Sequence, residues 1–326
     1  MHPCRTVRVY AWAITTCFGL SLVYGQAQPA GGQSASAVPA DVQELISALS
    51  SEKTSEQIAA IEKLGAMGSR AAAAIPHLVP ILRYQGLESI KIGDQMVTAF
   101  DLSADAAAET LARIGKPALR PLQARLGDPD APEDGRYWAA VALARMNDPA
   151  ATSLLLTTLK DPASPAGADV ARALEHSADP QALNTLLSLA TSSNPELRAA
   201  AIAGLRTKKD PRAVDALVAS LQDKDPRVRQ AAARGLMAQA DPRTLDSLIR
   251  ALKDDDSRVR NYCAQALGNI KDRRAIEPLI EVVTKDTESL VRFQAGRALE
   301  AITGLEFGEN GDKWLKWWQE QAIKKP

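Results

Sequence analysis

The chain of 326 residues carries 39 basic and 39 acidic side chains, so it has no charge excess to draw it to the phosphates of nucleic acid. Hydrophobic residues make up 46% of it and aromatics only 4%. A core must therefore be built from Leu, Val, Ile and Ala, which argues for closely packed helices and against an aromatic-rich β-sandwich.

Residues 1–25 are expected to be an export signal. Arg5 and Arg8 give a positive start, "AWAITTCFGLSLVYG" gives an apolar run, and small residues around Gly25 offer a cleavage site. The run is short for a membrane span, which usually needs ~20 apolar residues. Removing two arginines of the 39 bases leaves 37 bases against 39 acids, a net −2, and leaves Cys263 as the one cysteine. One cysteine makes no internal disulfide, so an exported chain of this kind must hold together by packing. The expected location is the periplasm or the cell exterior, with no membrane span after cleavage. Residues 26–39, "QAQPAGGQSASAVP", are uncharged and poor in apolar side chains, and are expected to be a flexible linker.

From residue 40 the sequence repeats itself. Asp-Pro stands at Asp148-Pro149, Asp179-Pro180, Asp210-Pro211 and Asp241-Pro242, continued by Asp272-Arg273, each step being 31 residues. Leu155, Leu186, Leu217, Leu248 and Leu279 keep the same step, as do Leu143, Leu174, Leu205, Leu236 and Leu267. Three series in one register make a tandem array. Each unit holds two helices. In the unit opening at Asp210, Val214, Leu217, Val218 and Leu221 mark one helical face, and Val228, Ala231, Ala232, Gly235 and Leu236 mark a second. Asp210 and Asp225 are placed as N-caps, each with Pro at the first helical position.

Two units depart from the pattern. The second carries an insert over 84–100, "YQGLESIKIGDQMVTAF", expected as a surface loop on a face where inserts can also bind. The fourth, "DPASPAGADVARALEHS", has Pro165 and Gly167 where its second helix should begin, so that helix should be short.

Arg136, Arg198, Arg229, Arg260 and Arg292 share one position of the second helix, with Gly167 breaking the series. Six residues before each position stand Asp130, Asp161, Ser192, Asp223, Asp254 and Asp286. One acid and one base per unit predict a ladder between neighbours. The stretch "DKDPRVRQAAARGL", 223–236, is then one rung of a scaffold. The rungs assigned to the ladder are Asp130, Arg136, Asp223, Arg229, Asp254, Arg260, Asp286 and Arg292.

"DKDPRVRQAAARGL", "DDDSRVRNYCAQALGNI" and "SSNPELRAAAIAGL" resemble the second helix of HEAT repeats. The 31-residue step is similar to that of the short HEAT-like repeats of phycobilin lyase subunits and many bacterial proteins. "EKLGAMGSRAAAAIPHLVPIL" and "AETLARIGKPALRPLQARL" resemble the same family's passage between repeats. The resemblance covers about residues 40–304 and implies an all-α fold, an α-solenoid of about eight helical pairs. Residues 305–326 follow it. Their Trp314, Trp317 and Trp318, at i, i+3 and i+4, are expected to form a capping helix over the last repeat, whose apolar end must be covered. The Thr-Gly…Phe-Gly stretch before them is similar to tails of bacterial HEAT-repeat proteins.

The chemistry of catalysis is sparse. HEAT-fold hydroxylases of the deoxyhypusine type carry His-Glu pairs that ligate iron, whereas His77 precedes Leu78 and His176 precedes Ser177. No cofactor or metal is expected, Cys263 reads as a buried thiol, and no Gly-rich phosphate loop or G-x-S-x-G is present. Second helices line the inner face of such arrays, and aromatics and arginines most often anchor interfaces. The candidate binding strip is Tyr137, Trp138, Arg172, Arg234, Tyr262, Phe293 and Arg297. The expected function is an exported, monomeric, non-enzymatic scaffold for a protein or peptide. A lyase-like enzyme or lyase subunit, and a small-ligand or glycan binder of the envelope, are the alternatives.

Overall fold

The computed structural model describes residues 38–83, 87–92, 95–100, 102–131, 133–161 and 164–323. The expected signal at 1–25 and nearly all of the linker lie outside the described residues.

Among the described residues eight helical pairs follow in chain order. The first is α1 (Ala40–Ala48) with α2 (Thr54–Met67), and the second is α3 (Ile75–Leu78) with α4 (Leu102–Ile114). The third is α5 (Leu119–Gly127) with α6 (Glu133–Arg145), and the fourth is α7 (Pro149–Lys160) with α8 (Gly167–Ala173). The fifth is α9 (Pro180–Leu189) with α10 (Pro195–Gly204), and the sixth is α11 (Pro211–Ser220) with α12 (Pro226–Gln239). The seventh is α13 (Leu245–Ala251) with α14 (Ser257–Ile270), and the eighth is α15 (Ile276–Lys285) with α16 (Ser289–Thr303). A final helix, α17 (Gly311–Ile323), stands beyond them. The second helices stack in series, α2 on α4 and so on to α14 on α16. The fold is an α-solenoid.

The repeating aspartates start these helices. Asp210 accepts the backbone N–H of Arg212 at 2.9 Å and Asp225 that of Arg227 at 2.9 Å. Asp148, Asp179, Asn194, Asp241, Asp256 and Asp272 do the same in their own repeats. Each cap satisfies one of the N–H groups that a helix start leaves without a partner. The leucine series is buried: Leu143, Leu155, Leu174, Leu186, Leu205, Leu217, Leu236, Leu248, Leu267 and Leu279 all face the core. Small residues let neighbours close up. A Cβ on Gly268 would meet the Ala298 Cα at 2.9 Å, so α14 and α16 approach at a distance that only glycine permits there.

The insert of the second repeat is not a loop. Residues 87–92 and 95–100 are two antiparallel strands, β1 (Leu87–Ile92) and β2 (Gln95–Phe100), paired from Leu87 with Phe100 to Ile92 with Gln95. This hairpin is the one departure from all-helical structure among the described residues. Its cause is legible in hindsight. Gly93-Asp94 separates two runs holding Ile90, Ile92, Val97 and Phe100, a short-turn hairpin signal. In the fourth repeat α8 begins at Gly167, runs only to Ala173 and tightens into a 3-10 turn over Leu174–His176.

At the C-terminus Trp314 is fully buried and its Nε1 donates to the Gly308 carbonyl at 2.8 Å. Phe307 and Trp317 meet its ring edge-on at 4.8 and 5.9 Å, and α17 packs on α15. Trp317 and Trp318 are half-buried. No helix among the described residues is long and apolar enough to cross a membrane.

Candidate binding groove and the arginine ladder beside it

Three arginines of the second helices make the same pair of contacts. Arg198 Nε and Nη2 donate to the two Asp223 carboxylate oxygens at 2.9 and 2.8 Å, while Nη1 donates to the Ser192 carbonyl at 2.9 Å. Arg229 bridges Asp254 (2.8 and 3.0 Å) and the Asp223 carbonyl (3.0 Å), and Arg260 bridges Asp286 (2.7 and 2.9 Å) and the Asp254 carbonyl (2.9 Å). The planar fork of arginine suits this two-oxygen grip. The Arg198 hydrogen bonds hold the Asp223 carboxyl below its ordinary range. The ends of the series differ. Arg292 keeps the Asp286 carbonyl but reaches Glu309 before α17 at 3.8 Å. Arg136 bonds the Ala131 carbonyl and pairs with Asp169 of α8 at 3.6 Å, so Asp130 has no part in its rung.

Beside the ladder a groove of about 780 Å³ runs across the second helices of repeats three to seven. Its lining includes Asp134 and Tyr137 of α6, Arg172 of α8, Glu175 of the following turn, Arg206 after α10, Arg227, Gln230 and Arg234 of α12, and Tyr262 of α14. The Arg172 guanidinium lies 5.9 Å from the centre of the Tyr137 ring and is hydrogen-bonded to Asp169. Asp169 is buried and so serves two guanidiniums, those of Arg136 and Arg172. Arg206 grips both oxygens of Glu175, and Arg227 both oxygens of Asp225. Gln230 donates Nε2 to Asp256 at 2.7 Å. Burial pushes the Tyr137 hydroxyl pKa up, with the Glu175 charge adding to it, so this ring presents a neutral O–H to the groove.

The family model for HEAT repeats matches in four overlapping registers, 129–206, 160–236, 183–261 and 216–300, which together span more than half of the chain. The chain belongs to the HEAT-repeat family. No curated protein matches the sequence. Among solved structures, an engineered protein is similar at 22% identity over 80% of this chain and 78% of its own, with a TM-score of 0.40. Human deoxyhypusine hydroxylase is similar at 20% identity over 81% and 96%, with a TM-score of 0.34. The karyopherin Kap121p is similar at 15% identity over 86% of this chain and 35% of its own, with a TM-score of 0.48. These are likenesses of helical-repeat architecture and carry nothing about activity.

In the HEAT array, Tyr137, Arg172, Arg234 and Tyr262 of the candidate strip line one groove. Trp138 does not line it. It is half-buried against the core and meets Tyr137 edge-on at 5.2 Å. Phe293 and Arg297 lie further along on α16, where Phe293 is 47% exposed and Arg297 reaches Glu300 at 3.4 Å. Asp134, Glu175, Arg206 and Arg227 were not legible as lining. One signal existed for two of them: Glu175 and Arg206 are 31 residues apart, so opposite charges occupy one repeat position and mark a second, single rung.

The HEAT array offers little acid–base chemistry. Cys263 is fully buried and burial pushes its thiol pKa far up, which keeps it protonated and unreactive. His176 is half-buried, and burial and the Arg145 charge push its pKa down while Glu175 opposes them. Among the described residues no group of three or more His, Cys, Asp or Glu could hold a metal ion.

Proposed function

We propose that the protein is an exported binding scaffold that holds a protein or peptide along the groove of its second helices. One observation carries this: five consecutive repeats contribute aromatic and arginine side chains to one continuous groove. These side chain types dominate interface energetics when clustered. The ladder and the ion-paired arginines hold the wall in place before a partner arrives, which reduces the ordering cost of association. Glu175 and Asp225 are held by Arg206 and Arg227, which supports binding over acid–base chemistry as the role of the groove. Export rests on Arg5, Arg8 and the apolar run that follows them.

The test is affinity capture from envelope extract of the source organism, with the folded wild-type chain and a folded Tyr137→Ala, Arg172→Ala, Tyr262→Ala variant as parallel baits. A protein retained by the first and lost by the second is the expected result. Equal retention by both would place binding elsewhere. Fractionation tests export independently: the expected product lies outside the cytoplasm and begins shortly after Gly25, and an uncleaved cytoplasmic chain would contradict it.

A further inference from the structure

We infer that the segment bound in the groove is an extended acidic–apolar peptide of a partner protein, with a side-chain carboxylate on Arg234 and an apolar side chain about five or six residues away on Leu290 and Phe293. This rests on the groove being the peptide site proposed above.

Four guanidiniums line the groove, and three are occupied. Arg172 is held by Asp169, Arg206 by Glu175 and Arg227 by Asp225. Arg234 is exposed, and no hydrogen bond or ion pair to another described residue engages it. Its fork is therefore the one arginine of the lining whose full donor set faces water, and a carboxylate is the group that fork fits best. Its neighbours suit a peptide. Gln230 spends its Nε2 on Asp256, which leaves its amide oxygen to accept a backbone N–H, and Tyr262 supplies a half-buried ring. A cationic side chain is disfavoured at Glu175. Glu175, at the α8 end of the lining, is gripped by Arg206, so a base entering there must displace an internal pair. A carboxylate at Arg234 displaces only water.

The apolar end follows from repeat register. Leu290, Phe293 and Arg297 on α16 occupy the positions that Arg227, Gln230 and Arg234 hold on α12. Leu290 is 61% and Phe293 47% exposed, two large apolar side chains at i and i+3 on one helical face. Two of the three positions that are polar on α12 are thus apolar two repeats later, the third remaining arginine. Helix α14 packs against both α12 and α16. At 8–10 Å per packed helix the two sites are roughly 16–20 Å apart, and an extended chain at about 3.3 Å per residue covers this in about five or six residues.

The probe is a displayed library of random 12-residue peptides selected on the full chain, on Arg234→Ala, on Arg234→Glu and on Phe293→Ala. The wild-type chain should enrich peptides with Asp or Glu and an aromatic or aliphatic residue at that spacing. For a selected peptide, changing the acid to its amide, or Arg234 to Ala, should each weaken binding on the order of tenfold or more, and the two together should add little. Arg234→Glu should select bases in place of acids, and Phe293→Ala should remove the apolar preference and leave the acidic one. Acids enriched equally on Arg234→Ala would overturn the inference. Peptides whose binding needs Tyr137 and Tyr262 but no acid would overturn it and leave the groove as a peptide site. A library that enriches nothing on any of the four proteins would overturn both.

Discussion

Repeats five to eight and repeats two to four use the same helical pair but are tied together differently. In the later repeats Arg198, Arg229 and Arg260 each reach an aspartate 25 or 26 residues ahead, a carboxylate in the next repeat gripped by both edges of one fork. In the earlier ones the rung is irregular. Gly167 stands where the arginine belongs, α8 is short, and Arg136 turns to the buried Asp169 instead. Arg145 crosses to Asp105 at 2.7 Å as a separate tie. The regular half is a uniform spring of equivalent contacts. The irregular half concentrates its charge on Asp169, which pairs with Arg136 and Arg172, and Arg172 in turn lies against the Tyr137 ring in the groove lining. The irregular repeats place Tyr137 and Arg172 at one end of the groove, and the regular repeats place Arg227, Arg234 and Tyr262 at the other.

The largest effect that separates the halves should come from Asp169→Ala. It leaves Arg136 and Arg172 without their shared, buried acid and should cost about 3–5 kcal/mol, as a broken buried pair does. A loss no greater than that of a ladder rung would remove the distinction. Arg229→Ala should cost less, about 1.5–3 kcal/mol, because it strands one carboxylate, Asp254, where Asp169→Ala strands two guanidiniums, and the loss is that of charged hydrogen bonds. Solenoids unfold by regions. Hydrogen exchange should therefore place the Asp169→Ala loss in α6–α8 and the Arg229→Ala loss in α12–α14, and a uniform loss over the whole array would contradict the account. Asp256→Ala, which removes the cap of α14, should cost about 1 kcal/mol and show as faster exchange at its first turn.

Acid should weaken the later repeats through many small losses. The Arg227 guanidinium and backbone N–H hold the Asp225 carboxyl at about 2, below its ordinary 3.8, and Asp210, Asp223, Asp241 and Asp272 are lowered in the same direction. A folded value below the unfolded one stabilises above the unfolded pKa and is lost as pH falls through the folded one. Exchange in α11–α14 should accelerate between about pH 4 and pH 2, and constant protection over that window would contradict these pairings.

Much of the array was legible because repetition gives the same physical instruction many times. The Asp-Pro series states a helix start in each repeat, and the leucine series states a buried face, so a register emerged from residues such as Asp210, Leu217 and Leu236. The rungs from Arg198 to Asp286 were legible for the same reason. The partner of Arg136 was not, because it depends on where a shortened α8 places Asp169, which no spacing encodes. Nor was it legible that Tyr137 lines the groove while Trp138, the next residue on α6, does not. The hairpin at 87–100 carried its own signal in Gly93-Asp94, set within repeats whose apolar period is otherwise helical. The groove also depends on residues that follow the second helices, Glu175 and Arg206, whose 31-residue spacing marks a pair but whose place in the lining needs the helices stacked.

The central claim is that the second-helix face is the binding surface. The measurement that tests it most directly is hydrogen exchange across the full chain with and without a captured partner. The account predicts new protection in α6, α8, α12 and α14, around Tyr137, Arg172, Arg234 and Tyr262, with the first helices of the same repeats unchanged. Protection confined to the first helices, or to α17, would contradict it.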